Sequence, residues 1–126
     1  MKDLYYVCSP LRGETKFEEK TNSSRAEVYE RMAEVRYDCR AIAPHSFLPK
    51  YLDDSVSEER QLALKIGLEL LSVCKKLVIF GDKITEGMAR EIAFANANGI
   101  EVINYEEENE DVYFSRKEWL GQYTSY

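Results

Sequence analysis

Ser9-Pro10-Leu11-Arg12-Gly13 brings a hydroxyl, a guanidinium fork and an unobstructed glycine backbone within five residues, an assortment suited to holding one small anion such as a phosphate. The same stretch also reads as a plain surface loop in which Arg12 pairs with a nearby acid. Neither Gly-x-Gly-x-x-Gly nor Gly-Lys-Ser/Thr occurs, so it is not a dinucleotide fingerprint or a P-loop. A second group, Thr85-Glu86-Gly87-Met88-Ala89-Arg90-Glu91, sets a carboxylate six residues after a threonine, and Gly87 permits close approach of a ligand or of backbone. Spacing leaves two readings of Glu91 open: a carboxylate aimed along the sheet at a pocket, or a solvated helix acid beside Arg90. His45, the only histidine, follows Ala43-Pro44, where it can meet a ligand or satisfy the loop backbone. Asp53 and Asp54 precede a helix, and capping the positive end of its dipole is the simpler reading of both.

These residues need elements to position them. Leu4-Tyr5-Tyr6-Val7-Cys8 is a β-prone run stopped by Pro10 and Gly13. From Ser23 the apolar positions Ala26, Tyr29, Met32, Ala33 and Tyr37 recur at helical spacing, with Asn22, Ser23 or Ser24 expected as the cap. Arg40-Ala41-Ile42-Ala43 is a second strand, ended by the prolines of Pro44-His45-Ser46-Phe47-Leu48-Pro49. Ser55 with Glu58 resembles a capping box. Behind it run two stripes, Leu62, Ile66, Leu70 and Val73, then Ala63, Gly67, Leu71 and Cys74. Leu77-Val78-Ile79-Phe80 is apolar throughout, as a strand covered on both faces requires, and ends at Gly81-Asp82. A third helix opens at Thr85, buries Met88, Ile92 and Ala95, and reaches a left-handed cap at Gly99 before the strand Glu101-Val102-Ile103-Asn104.

Strands alternating with helices predict one α/β domain over residues 1–126. Its core is a doubly wound, Rossmann-like or flavodoxin-like parallel sheet of four strands, or five if Val112-Tyr113-Phe114 adds one. Ligands of such sheets bind beyond the carboxyl ends of the strands, which selects the loops Ser9 to Gly13, Pro44 to Asp54 and Gly81 to Gly87.

Charge narrows the partners. The net charge is −6. Its whole excess lies in Glu101, Glu106, Glu107, Glu108, Glu110 and Asp111, and the rest of the chain is balanced. No Lys/Arg stripe exists to displace counterions from a polynucleotide, so general nucleic-acid binding is not expected, whereas a single phosphate pocket is compatible. Met1-Lys2-Asp3 leads directly into the first strand-like run and apolar runs are short, so neither a signal peptide nor a spanning helix is expected. Cys8, Cys39 and Cys74 are odd in number and accompanied by one histidine, which reads as reduced, buried, cytoplasmic thiols with no metal site.

Taken together, Tyr6-Val7-Cys8-Ser9-Pro10-Leu11-Arg12-Gly13, Ala43-Pro44-His45, Leu77-Val78-Ile79-Phe80-Gly81 and Thr85-x-Gly87 with Glu91 resemble the nucleoside 2-deoxyribosyltransferase superfamily across nearly the whole chain. The nearest likeness is to a small branch with Ser-Pro-Leu-Arg-Gly and Gly-Met-x-x-Glu signatures, and through it to the deoxynucleoside 5′-monophosphate N-glycosidases. The resemblance implies that Glu91 is the nucleophile of a retaining reaction through a glycosyl ester. It implies that Ser9, Arg12 and Gly13 bind a 5′-phosphate, and that His45, Asp82, Thr85 and Gly87 complete the substrate site without any cofactor. Thr85 stands where the nucleotide hydrolases have a phosphate-binding Ser and the transferases an Asp, which leans toward nucleotides. Counting back from Glu91 puts Gly67 where both activities use an Asp. The acid must then come from elsewhere, Glu69 or Asp82, or the chain is a non-catalytic nucleotide-binding module. The resemblance also implies a homo-oligomer in which C-terminal aromatics, here Trp119, Tyr123 and Tyr126, complete a neighbour's pocket.

Overall fold

The structure is a computed structural model and describes residues 1–108. Its elements follow in order: β1 (Leu4–Cys8), α1 (Lys16–Tyr37), β2 (Arg40–Ile42), two 3₁₀ turns at Pro44–Ser46 and Leu48–Lys50, α2 (Ser57–Ser72), β3 (Lys76–Ile79), α3 (Glu86–Ala97), β4 (Glu101–Asn104) and α4 (Tyr105–Glu108). The four strands are all parallel, in the order β2-β1-β3-β4. This is the doubly wound α/β architecture expected from the alternation of elements. The residues Val112 to Phe114, Trp119, Tyr123 and Tyr126 lie outside the described part. No described helix is long and apolar enough to cross a membrane.

Strand periodicity divides the core in two. Successive side chains of β1 point to opposite faces. Tyr5 and Val7 therefore join Val78, Phe80 and Ile103 under Ala26 and Ala33 of α1. Tyr6 and Cys8 join Leu77 and Ile79 under Leu71 of α2 and Met88 and Ala95 of α3. Both faces of β3 are covered, which is why Leu77-Val78-Ile79 carries no polar alternation.

Helix starts differ from the expectation in two places. α1 begins at Lys16 rather than near Ser23, because Thr15 caps it: its side chain accepts from the Glu18 amide at 3.1 Å, while Glu18 accepts from the Glu14 amide at 2.8 Å. The polar residues proposed as caps are inside the helix and tie it to the ligand-edge loops. Asn22 donates to the Leu11 carbonyl at 3.0 Å and Ser23 to the His45 carbonyl at 2.7 Å. At α2 the Ser55–Glu58 box does not form. Val56 occupies the cap position without a side-chain bond, and Ser55 instead donates its amide and hydroxyl to Asp53 at 2.9 and 2.7 Å. Neither Asp53 nor Asp54 caps α2.

The rotation of α2 is also informative. Leu62 and Val73, from the first predicted stripe, are exposed, whereas Gly67, Leu71 and Cys74 from the second are buried. With no side chain at Gly67, α2 can lay that edge close against β1. At the other end of the sheet, Gly99 adopts φ +69° and the Ile100 amide bonds the Ala95 carbonyl at 2.9 Å, closing α3 in the left-handed manner expected.

Thr85 is the N-cap of α3, its side chain accepting from the Met88 amide at 3.2 Å. Thr85→Ala is expected to lower stability in urea unfolding by about 1 kcal/mol and Thr85→Ser to restore most of it. Equal stability of all three proteins would show that the cap contributes nothing.

Candidate active site around Glu91

Glu91 lies on the inward face of α3, six residues after the Thr85 cap, and its side chain meets the underside of β1. It is 8% exposed, one of two buried polar or charged residues among the described residues. The solvated-acid reading therefore does not hold: Arg90 turns outward and pairs with Glu86 at 3.2 Å instead. The Tyr6 hydroxyl donates to Glu91 Oε2. Glu91 Oε1 is buried with no hydrogen-bond partner. Burial raises the carboxyl to about 7, against the opposing pull of the Tyr6 hydroxyl and the nearby Cys8 thiol. Burial, followed by the adjacent Glu91, pushes the Tyr6 phenol well above its usual value, so Tyr6 stays a donor. The Cys8 thiol is raised for the same reasons, which makes it an unreactive buried thiol.

Gly67 faces this pair. A Cβ built there would lie 3.2 Å from the Tyr6 hydroxyl and 3.7 Å from Glu91 Oε2. The position counted back from Glu91 thus does adjoin the carboxylate, and glycine leaves it without an acid. Glu69 and Asp82 do not substitute: both are exposed, and neither lines the cavity above Glu91.

That cavity has a volume of about 710 Å³, with Tyr6, Gly67 and Glu91 among its lining residues. Such a volume accommodates a nucleoside-sized molecule. Leu11, Pro44, Leu48, Leu52, Ala63 and Leu64 supply apolar wall. Glu19, Glu27, Asp53, Asp54 and Glu59 face Lys16, Lys20, Lys50 and Arg60 around it, so acids outnumber bases even without Glu91. His45 lines this cavity, and burial lowers its imidazole to about 4, leaving it neutral near pH 7. It can donate or accept one hydrogen bond there but is not a cationic acid.

The other sequence-derived candidates are not gathered at Glu91. Arg12, Gly13 and Asp82 line a second cavity of about 430 Å³. Arg12 Nε stands 3.8 Å from Asp54 Oδ2, the surface pairing that was one of its two readings. Ser9 is 1% exposed, and its hydroxyl has no hydrogen-bond partner. Thr85 and Gly87 line neither cavity. Tyr6, within the Tyr6–Gly13 motif, is a functional residue that sequence reasoning did not single out. The available signal was its place on the face of β1 shared with Cys8, opposite to that of the neighbouring Tyr5. Among the described residues no cluster of three or more His, Cys, Asp or Glu could hold a metal ion.

A family model described as Domain of unknown function (DUF7768) matches residues 3–105. No curated protein matches. Among solved structures, a 2-deoxyribosyltransferase from the psychrotolerant bacterium Bacillus psychrosaccharolyticus superposes with a TM-score of 0.55 at 22% identity, over 79% of this chain and 69% of that one. At that identity the likeness is one of fold: the chain has a 2-deoxyribosyltransferase-like α/β fold.

Because Glu91 keeps its proton from 4.5 up to about 7 in the folded state, stability falls as pH rises through that window. The expected size is about 3 kcal/mol at about 1.4 kcal/mol per unit. Compared by urea unfolding from about pH 4 to about pH 8, Glu91→Gln should gain that amount relative to wild type. His45 contributes to both proteins alike and cancels. A stability difference independent of pH would mean that Glu91 is not a buried, raised carboxyl.

Proposed function

Since this chain belongs to the DUF7768 family and has a 2-deoxyribosyltransferase-like fold, we propose that it cleaves the N-glycosidic bond of a 2-deoxyribonucleoside or its 5′-monophosphate, by hydrolysis or by transfer to another base. The observation that carries this reading is the state of Glu91, a residue lining a nucleoside-sized cavity: one carboxylate oxygen is held by Tyr6, and the other is buried without a hydrogen-bond partner. A fixed carboxylate with one free oxygen suits covalent catalysis.

In the first step the Glu91 carboxylate forms a bond to the anomeric carbon as the carbon–nitrogen bond breaks, and the bonding pair leaves with the base. In the second step water, or the nitrogen of another base, takes the sugar and returns the carboxylate. Tyr6 is a positioning residue: it orients the carboxylate and, by hydrogen bonding, favours its ionised form. The proton required by the departing base has no donor at Gly67, so a base that leaves as a stabilised anion or is protonated by water fits best. A general acid typically contributes about a hundredfold to ten-thousandfold, and the rate is expected to be lower by that order than with an acid at position 67. Gly67 also favours a second reading, a nucleotide-binding module on the same fold that binds without turnover.

Incubation with each 2′-deoxynucleoside and 5′-monophosphate, followed by chromatography, should detect free base. Glu91→Gln should lower its release by at least about a thousandfold. Tyr6→Phe should lower it by about a hundredfold, the scale of one lost preorganised donor, and should move the acid limb of the pH profile to higher pH. Saturable binding with no release supports the module, and equal release by Glu91→Gln removes the nucleophile.

A further inference from the structure

We propose that the preferred substrate of the Glu91 cavity is a nucleoside whose base is already a cation, a heterocycle quaternised at a ring nitrogen, so that the base departs as a neutral molecule. The inference rests on the glycosidic reading and names the substrate class of that site.

Breaking a carbon–nitrogen bond to an uncharged base leaves the electron pair, and a negative charge, on the ring nitrogen, where a proton has to meet it. The groups around Glu91 are poor sources of one. β1 presents the Tyr6 hydroxyl, which is bound to Glu91, and the nearby Cys8 thiol; burial raises both, so each holds its proton. α2 presents Gly67, which has no side chain to offer. The loop after β2 presents His45, whose imidazole burial lowers to about 4, so it carries no extra proton near neutrality. With a quaternised base the balance differs. The Glu91 carboxylate bonds to the anomeric carbon, the carbon–nitrogen pair returns to the ring nitrogen, and the positive charge there is cancelled with no proton transferred. Water then takes the sugar, one proton goes to solvent, and the carboxylate is restored.

The charges of the cavity favour the same substrate. Lys16 is paired with Asp53 at 3.1 Å, and Asp54 faces Arg12, which lies outside this cavity. The remaining wall charges are even, Glu19, Glu27 and Glu59 against Lys20, Lys50 and Arg60, so Glu91 tips the space toward acid. Among the described residues no cation pairs with Glu91. It is therefore a buried carboxyl without the counter-charge that would offset its lost hydration. A cationic base seated beside Tyr6 and Glu91 supplies that counter-charge and favours the ionised, nucleophilic carboxylate. The neutral His45 imidazole in the same wall adds no repulsion.

Two measurements on the full chain test this. The first compares release of base from 7-methyl-2′-deoxyguanosine, whose methyl group makes the ring cationic, and from 2′-deoxyguanosine, with the uncatalysed loss subtracted. The methylated nucleoside is expected to have kcat/KM higher by at least about a hundredfold, the lower end of what a general acid contributes. The second needs no turnover: calorimetric titration of 1-methylnicotinamide, a cation, and of nicotinamide, its neutral counterpart. The cation is expected to bind at least about tenfold tighter at about pH 8. Its advantage should shrink toward about pH 6, as Glu91, titrating at about 7, takes up its proton. Glu91→Gln, which should be the more stable protein at high pH, should erase both the advantage and its pH dependence. Equal release from the two nucleosides overturns the cation preference and leaves the glycosidic reading standing. Equal affinity for the two nicotinamides, or an advantage that persists in Glu91→Gln, overturns the preference as well. Cation-selective binding lost in Glu91→Gln, with no base released from either nucleoside, supports the charge preference and overturns the glycosidic reading instead.

Discussion

The hydrogen bond from Tyr6 to Glu91 is the contact on which the arrangement turns. It joins the first strand to the third helix across 85 residues of chain, inside the core that β1 and β3 share with α2 and α3. A carboxyl so placed loses its hydration, and one donor does not replace it. The consequence is a carboxyl titrating about 7, poised between its two forms near neutrality, with one oxygen fixed and one unsatisfied. Such a group costs stability once ionised, and catalytic carboxylates commonly carry that cost.

Gly67 makes the contact sterically feasible. Any side chain there would press on the Tyr6 hydroxyl, and the glycine edge lets α2 approach β1. The same residue leaves the position facing Tyr6 and Glu91 without an acidic side chain. The carboxylate is thus closely packed and phenol-bound, with no second acid at position 67.

The partition by α1 has a comparable weight. A long helix presents different residues every hundred degrees, so one element lines two spaces of opposite charge balance: an acidic one above Glu91 and a basic one at the divergence of β1 and β3. Helix α1 does so because Thr15, and not Ser23, starts it. The extra two turns carry Phe17, Lys20 and Thr21 out to the ligand edge, and Asn22 and Ser23 lock those turns to the Leu11 and His45 carbonyls.

Much of this was legible in the residues. The β-α alternation, the uninterrupted Leu77-Val78-Ile79, the Gly99 cap and the three ligand-edge loops follow from local periodicity and turn chemistry, which act over a few residues and leave their mark in the chain. Glu91 was visible as a carboxylate in the right segment, but its burial was not, because the spacing of one helix does not say which neighbour it meets. The cap of α1 was missed because Thr15-x-x-Glu18 competed with three equally suitable polar residues, and packing chose between them. Arg12 and Glu91 look like parts of one site when only strand ends are counted. Which side of a strand-end loop each residue faces depends on α1 lying between them, a long-range packing outcome. The amino-acid sequence therefore determined the elements and the inventory of chemical groups, through local backbone and side-chain preferences. Tertiary structure alone decided which groups share a cavity and which carboxylate loses its water, since both depend on contacts between residues far apart in the chain.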